Sequence, residues 1–101
     1  MARFDVYEFS DETPYIVDIQ AGIHSELATC IVVPLVPKAL ANKEFLPKLN
    51  PLIVFEGIDY VFIASQLGSV PRHSLKDKVG NLEVEHRQTI VDALDFLFQG
   101  F

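Results

Sequence analysis

The sequence predicts a mainly β domain with a C-terminal α-helix (α+β). Short runs with alternating or β-branched apolar residues fill the chain up to about residue 67, whereas from Leu82 onward apolar residues recur every three or four positions. Strands followed by one terminal helix are typical of a small antiparallel barrel or sheet with the helix packed on it. The length suits one domain, so we assign residues 1–101 to a single unit.

Two strands are expected in the first twenty residues. RFDVYEF, residues 3–9, alternates apolar and polar side chains, and the turn formers SDETP follow it. YIVDIQ, residues 15–20, has the same period of two. The face of this second strand that is expected to meet the core carries Tyr15, Val17 and Ile19.

Further β-rich runs follow in the middle of the chain. TCIVVPL, residues 29–35, is rich in β-branched residues and is expected to be buried on both sides, and its Pro34 is expected at the end of the strand or on a sheet edge. Residues 52–67 contain two apolar runs around EGID, which is the clearest hairpin signal in the sequence. Proline and polar residues predict loops at 36–50, with at most one helical turn, and at 69–81.

The segment from Leu82 to the end has the period of an amphipathic helix. Asn81 is the expected N-cap, and acidic residues in the first turns suit the positive end of the helix dipole. Phe96 lies off the main apolar stripe, as expected for a helix that contacts a second surface such as another subunit. The stripe itself is expected to consist of Ile90, Val91, Leu94, Leu97, Phe98 and Phe101.

Composition and charge exclude several classes of function. A formal net charge of -6 argues against non-specific nucleic-acid binding, because that affinity comes from neutralised phosphates. No apolar run is long enough to span a bilayer, and the first residues show no signal peptide. We therefore expect a cytoplasmic protein with no membrane partner and no direct nucleic-acid partner. The single Cys30 is expected to be a core residue rather than a nucleophile.

The sequence contains no recognisable catalytic or metal-binding set. Its five glycines are scattered, and its histidines and one cysteine lack metal-ligand spacing, so we expect no metal and no cofactor. Residues 72–74, Arg-His-Ser, are the one stretch that would suit phosphodiester chemistry, although a solvated loop is the simpler interpretation. Asp92 and Asp95 are interpreted as a solvated acidic face that is available to a partner.

Several short motifs occur in an order and spacing that match one protein family. Each motif is weak alone, but together they cover the whole chain. They are RFDVYEF at 3–9, VDIQ at 17–20, IVVPL at 31–35, LGSVP at 67–71, HR at 86–87 and ALDFLFQGF at 93–101. On these motifs the chain resembles the CcdB toxins of toxin–antitoxin modules.

The resemblance implies a fold, an activity and a set of partners. The family folds as an SH3-like barrel of antiparallel strands with a C-terminal helix, related to the ribonuclease toxins of the MazF group, and it forms homodimers. Its members are not enzymes. They bind the A subunit of DNA gyrase and trap the cleaved-DNA intermediate, and a cognate antitoxin, CcdA-like here, removes them from gyrase.

The resemblance also implies a gyrase-binding site at the end of the helix and in one loop. Gln99 stands where the family has tryptophan, Asp95 where it has an amide, and His24 where it has a second isoleucine. Two alternatives stay open: a CcdB-fold dimer that no longer poisons gyrase, and an endoribonuclease acting through Arg72, His73 or nearby lysines. The expected gyrase-binding residues are Gln99, Gly100, Phe101, Asp95, Ile23 and His24.

Overall fold

The structure, a computed structural model, describes residues 3–20, 27–41 and 46–100. Its one α-helix within these residues, α1, spans Glu83–Gln99. Short 3-10 helices lie at Lys38–Leu40, Ala64–Gln66 and Arg72–Ser74. The strands are β1 (Asp5–Glu8), β2 (Tyr15–Asp18), β3 (Thr29–Pro37), β4 (Leu52–Phe55), β5 (Ile58–Phe62), β6 (Gly68–Pro71) and β7 (Lys78–Asn81).

All seven described strands belong to one antiparallel sheet. Its order is β4-β5-β3-β2-β1-β7, and β6 pairs with β3 off this path. One side of the long strand β3 pairs with β2, whereas its other side pairs first with β6 and then with β5. The predicted class, mainly β with one C-terminal helix, is confirmed. The sheet is curled into a half-barrel, with α1 packed against it.

The two ends of this strand order approach each other closely. Phe55 at the end of β4 lies against Gly80 of β7, where an added Cβ atom would be 2.7 Å from the ring. The Phe55 ring also packs edge-on against Tyr15, with 5.5 Å between centroids, and against Tyr60 at 6.3 Å. The sheet therefore closes around an aromatic cluster, and glycine at position 80 leaves the space that this closure needs.

The main core lies between the concave face of the sheet and α1. Val17 and Ile19 are buried there, as the alternation in YIVDIQ predicts, and Tyr15 is half-buried against the same core. The outer face of β1–β3 is covered as well, because Val70 and Leu75 from the segment after β5 pack on it. The buried members of this second layer are Tyr7, Ile16, Cys30 and Val32. The predicted burial of both faces of residues 29–35 is confirmed, since Cys30 and Val32 lie in this layer and Val33 and Leu35 in the main core, whereas the covering of β1 and β2 was not predicted.

The prediction of a loop at residues 69–81 is wrong, because this segment contains most of β6 and all of β7. Each of these strands has four residues and carries glycine or proline, so neither shows a clear alternating pattern. Pairing with β3 and with β1 supplies the stability that their own β propensity lacks.

The placement of Pro34 at a strand end or sheet edge is also wrong. Pro34 lies inside β3, opposite Ile16 of β2, and its carbonyl accepts a hydrogen bond from the N–H of Ile63. On this side of β3 the partner changes from β6, which pairs up to Val32, to β5, which pairs from Leu35. Pro34 lies between these two pairings, so no backbone carbonyl of β5 or β6 requires an N–H from it, and proline is tolerated there.

Helix α1 confirms the predicted terminal helix. The N-cap residue is Leu82, one position after the predicted Asn81. The Asn81 side chain still accepts a hydrogen bond of 2.8 Å from the N–H of Glu83, the first helical residue. Phe98, predicted in the buried stripe, is 71% exposed, because it lies one residue, about 100° of rotation, beyond half-buried Leu97. Phe101, also predicted in that stripe, lies outside the described residues. Within the described residues, no helix has the length and apolar character needed to cross a membrane.

Gly80→Ala should destabilise the fold, because the new Cβ atom would lie 2.7 Å from the Phe55 ring. We expect the free energy of unfolding to fall by about 1–3 kcal/mol, as is usual for an overpacked core. Urea unfolding followed by circular dichroism measures the change. The matched control is Gly68→Ala, whose Cβ atom would come no nearer than 3.9 Å to the Gln66 carbonyl. Equal losses in both variants would contradict the role given to the close approach.

Candidate functional site

Helix α1 is fixed on the sheet by one apolar face and by contacts near its start. Ile90, Ala93 and Leu94 are buried in the core. With its hydrogen on Nε2, His86 donates to the carbonyl of Val54 over 2.9 Å and so covers part of the edge of β4. Because the helix is fixed in this way, Asp95, Gln99 and Gly100 near its end are held in solvent.

The last turn of α1 presents part of the predicted gyrase-binding site. Asp95 and Gln99 are exposed and lie one helical turn apart on the same side. Gly100 is exposed and has a left-handed backbone, with φ of 81°, and its N–H donates to the Phe96 carbonyl, which ends the helix. The structure thus brings three of the six predicted residues together. The other three lie outside the described residues: Ile23, His24 and Phe101.

This end of the helix is electronegative. The backbone dipole places partial negative charge at a helix C-terminus, and the carboxylates of Asp92 and Asp95 add to it. The last turn contains no basic residue. Arg87, nearer the helix start, is paired with Glu83 over 2.9 Å. The surface is therefore suited to a cationic group of a partner.

A cleft of about 440 Å³ lies beside the last turns of α1. Phe96, which is off the main apolar stripe, lines this cleft. Some of the apolar surface near the helix end therefore faces other residues of the same chain. Sequence reasoning missed the cleft because its two walls are far apart in the chain. The helix wall is formed by Thr89, Asp92, Asp95 and Phe96, and the facing wall by Pro47, Lys48 and Pro51.

A larger groove, of about 690 Å³, lies over the β4–β5 hairpin. Its lining is mainly apolar and includes Leu52, Ile58 and Val61. Lys38 and Asp59 are the charged residues that line it. It holds none of the described gyrase-binding residues, so the candidate site remains at the end of α1.

Arg72, His73 and Ser74, the residues considered for ribonuclease activity, form a 3-10 turn that hydrogen bonds to backbone carbonyls hold in place. The guanidinium of Arg72 donates to the carbonyl of Leu27, and the hydroxyl of Ser74 donates to the carbonyl of Pro71 over 2.6 Å. His73 is exposed beside them. Across the described part of the chain, no group of three or more His, Cys, Asp or Glu side chains is arranged to hold a metal ion.

A buried polar cluster lies on the outer side of β1 and β2. Asp5 is fully buried, accepts a hydrogen bond of 2.8 Å from the amide of Asn81, and pairs with the Lys78 ammonium at 3.3 Å. Asp18, on the neighbouring strand, accepts a hydrogen bond of 2.9 Å from the N–H of Gln20. These contacts link β1 to β7 and fix the turn after β2, so the cluster is structural. The alternating pattern did not reveal this cluster, because Asp5 and Asp18 occupy polar positions of their strands and the covering of β1 and β2 was not predicted.

Cys30 and Tyr7 lie in the layer beside this cluster and are kept in their neutral forms. Burial, with a further contribution from the Asp18 carboxylate, raises the pKa of the Cys30 thiol to about 12. Burial and the Asp5 carboxylate raise the pKa of Tyr7 to about 12. Because the thiolate is the nucleophilic form, Cys30 is inert at neutral pH. The prediction that it is a core residue is confirmed.

Comparison with known proteins identifies a family and a shared fold. The model of the family described as CcdB protein matches residues 3–100. No curated protein matches the chain in sequence. Among solved structures, an endoribonuclease in complex with its cognate antitoxin from Mycobacterial species is similar, with a TM-score of 0.77. The match covers 97% of this chain and 94% of that chain at 16% identity.

A second solved structure, an endoribonuclease from Mycobacterial species, has a TM-score of 0.73. It matches 97% of this chain and 90% of that chain at 15% identity. At these identities the likeness concerns the fold, a curled antiparallel sheet with one C-terminal helix.

Cys30 should react with iodoacetamide only when the chain unfolds. At pH 8 its raised pKa leaves roughly one thiol in ten thousand ionised, so we expect alkylation at least roughly a hundredfold slower in the folded than in the urea-unfolded protein. Mass spectrometry over time measures both rates. The matched control moves the thiol to an exposed turn in the double variant Cys30→Ser, Ser10→Cys, which should react in both states. Equal folded and unfolded rates for Cys30 itself would contradict its inert state.

Proposed function

The chain belongs to the CcdB family, and from this premise we propose that it is the toxin of a toxin–antitoxin pair that targets the A subunit of DNA gyrase. In this proposal the protein catalyses no reaction. It binds gyrase while the enzyme holds cleaved DNA and stabilises that intermediate, so that the break is not resealed. The family match extends to residue 100 and therefore includes the last turn of α1.

The exposed, electronegative last turn of α1 is the observation that carries this proposal. Gln99 and Gly100 lie in solvent at the end of a helix whose opposite face is anchored in the core. The left-handed Gly100 ends the helix without a side chain, so a partner's backbone has room to approach closely. These features suit a contact made by the helix end with a basic protein surface.

Two departures from the family pattern change the chemistry of that contact. The amide of Gln99 cannot stack on a guanidinium as an aromatic ring does, a contact worth about 0.5–2 kcal/mol. The carboxylate of Asp95, beside the negative end of the helix dipole, instead forms a charge-assisted hydrogen bond with an arginine. We propose that the gyrase contact of this chain rests more on Asp95 and less on ring stacking than in other family members.

Two further partners belong to the proposal. The family resemblance implies a cognate antitoxin, CcdA-like in its role, and one structure of the same fold contains an endoribonuclease with its own antitoxin. The resemblance also implies a homodimer. In this scheme the antitoxin competes with gyrase for the toxin, and its removal frees the helix ends of the dimer.

The similarity to two endoribonucleases motivates a second candidate function, RNA cleavage. Its candidate residues are Arg72 and His73, with the lysines that follow them. The formal net charge of -6 counts against a phosphate-binding groove. RNA cleavage by the purified protein that is lost in Arg72→Ala and retained in Arg72→Lys would favour this candidate over gyrase binding.

Deletion of Gly100 and Phe101 should abolish gyrase binding and toxicity while the domain stays folded, because Gly100 is exposed and follows the last turn of α1. Calorimetry with the gyrase A subunit measures binding, and growth after induction measures toxicity. Far-UV circular dichroism and the urea midpoint provide the control for folding. Undiminished binding would place the contact elsewhere, and an unfolded variant would assign these residues to the core.

Gln99→Trp should strengthen binding to the gyrase A subunit by roughly 2- to 30-fold, since it restores a ring where the family has one. Calorimetry measures the dissociation constants of both proteins. The matched control is Gln66→Trp, which adds the same ring at an exposed glutamine in the 3-10 helix after β5. Unchanged affinity in Gln99→Trp, or an equal gain in both variants, would contradict the inherited geometry of the helix end.

A further inference from the structure

The cleft of about 440 Å³ beside the last turns of α1 carries opposite charges on its two walls. Asp95 contributes a carboxylate to the helix wall, and Lys48 contributes an ammonium group to the facing wall. Both residues are exposed. The ion pairs formed among the described residues involve neither of them, so each charge can meet a third group in the cleft.

The wall that faces the helix is held firmly on the rest of the chain. The N–H of Asn50 donates to the carbonyl of Leu46 over 2.7 Å, and the carbonyl of Pro51 accepts a hydrogen bond of 2.9 Å from the N–H of Phe62 in β5. The rings of Pro47 and Pro51 restrict the backbone further. Because the helix wall is anchored in the core, the cleft is preformed, as small-molecule sites usually are. Its volume also lies in the range of about 300–1,000 Å³ that is usual for such sites.

Apolar surface lies between the two charges of the cleft. The half-buried Phe96 ring lines the helix wall, and Pro47 and Pro51 line the facing wall. An aromatic ring packs against aliphatic groups and also attracts a cation that lies over its face. The helix dipole adds partial negative charge at the same wall. A ligand that matches the cleft therefore has an apolar body, a positive group toward the helix end and a negative group toward Lys48.

We propose that this cleft binds a small zwitterion of the size of a dipeptide with apolar side chains. Its ammonium group lies against Asp95 and the Phe96 ring, and its carboxylate lies against Lys48. Charge selects this ligand over others. An anion would be repelled by Asp92 and Asp95, and a simple cation by Lys48, whereas a neutral apolar molecule would leave both walls without a counter-charge.

The test titrates the isotope-labelled full chain with L-leucyl-L-leucine (dileucine) and records backbone amide shifts by NMR. We expect the shifts to concentrate at Lys48, Thr89, Asp92 and Phe96, which line the cleft. N-acetyl-dileucine lacks the ammonium group and dileucine amide lacks the carboxylate. Each should bind roughly threefold or more weakly than dileucine, since one partly exposed ion pair is lost. Free L-leucine should also bind more weakly, because it buries less apolar surface.

Lys48→Gln should weaken dileucine binding roughly threefold or more and should remove the preference for dileucine over its amide, because no ammonium group then meets the carboxylate. Lys48 is exposed, so the fold should not change. The matched control is Lys38→Gln, at an exposed lysine of the larger groove, which should keep both the affinity and the preference. No shifts at the cleft, equal binding of dileucine and the two single-charge probes, tighter binding of L-leucine, or equal losses in the two variants would overturn the inference.

Asp95 belongs both to this cleft and to the proposed gyrase contact, so one consequence of the inference rests on the proposed function. Saturating dileucine should weaken binding of the gyrase A subunit in calorimetry, because the ligand occupies Asp95. If dileucine binds the cleft and gyrase does not bind the chain at all, the cleft stands and the proposed target is wrong. If gyrase binds and dileucine does not, the cleft is refuted and the proposed target stands. Gyrase affinity that bound dileucine leaves unchanged would refute the competition for Asp95.

Discussion

The approach of Phe55 to Gly80 joins the two ends of the curled sheet, and the rest of the structure depends on it. This approach encloses an aromatic cluster of Phe55, Tyr15 and Tyr60. It also curves the sheet, so that α1 packs into its concave face. Each large apolar side chain buried there contributes about 1.5–3 kcal/mol, whereas a net hydrogen bond contributes about 0.5–1.5 kcal/mol. Burial of residues such as Ile90 therefore positions the helix, and the contact of His86 with Val54 refines that position.

A single helix thereby combines a side that stabilises the fold with the surface proposed for recognition. Its buried side is constrained by packing, whereas Asp95, Gln99 and Gly100 in the last turn are exposed. Surface substitutions usually change stability by less than about 0.5 kcal/mol, so the recognition surface is free to change without loss of the fold. This explains how a chain keeps the architecture of structures that are only 16% and 15% identical while the residues at its helix end differ from the family pattern.

Local signals in the sequence were sufficient for the helix and for the hairpin. The hairpin turns at Glu56 and Gly57, both with positive φ, as a two-residue connection requires. Strands β6 and β7 were not predictable, because four-residue strands with glycine or proline depend on their partners. Asp5 occupies a polar position of an alternating strand, and only the covering layer and Lys78 make it a buried, paired carboxylate. For the candidate site, the motif at residues 93–101 was sufficient to predict a site at the helix end. The cleft beside Phe96 was not predictable, because its other wall comes from Pro47, Lys48 and Pro51, which are far away in the sequence.

We propose that this chain poisons gyrase through an exposed helix end that has glutamine in place of tryptophan. A cleavage assay with purified protein, gyrase, supercoiled DNA and ATP tests it most directly. We predict linear DNA after treatment with detergent and protease, in an amount that rises with the concentration of the protein. No linear DNA from a protein that is folded and dimeric would contradict the claim and would favour a CcdB-fold protein with a different partner.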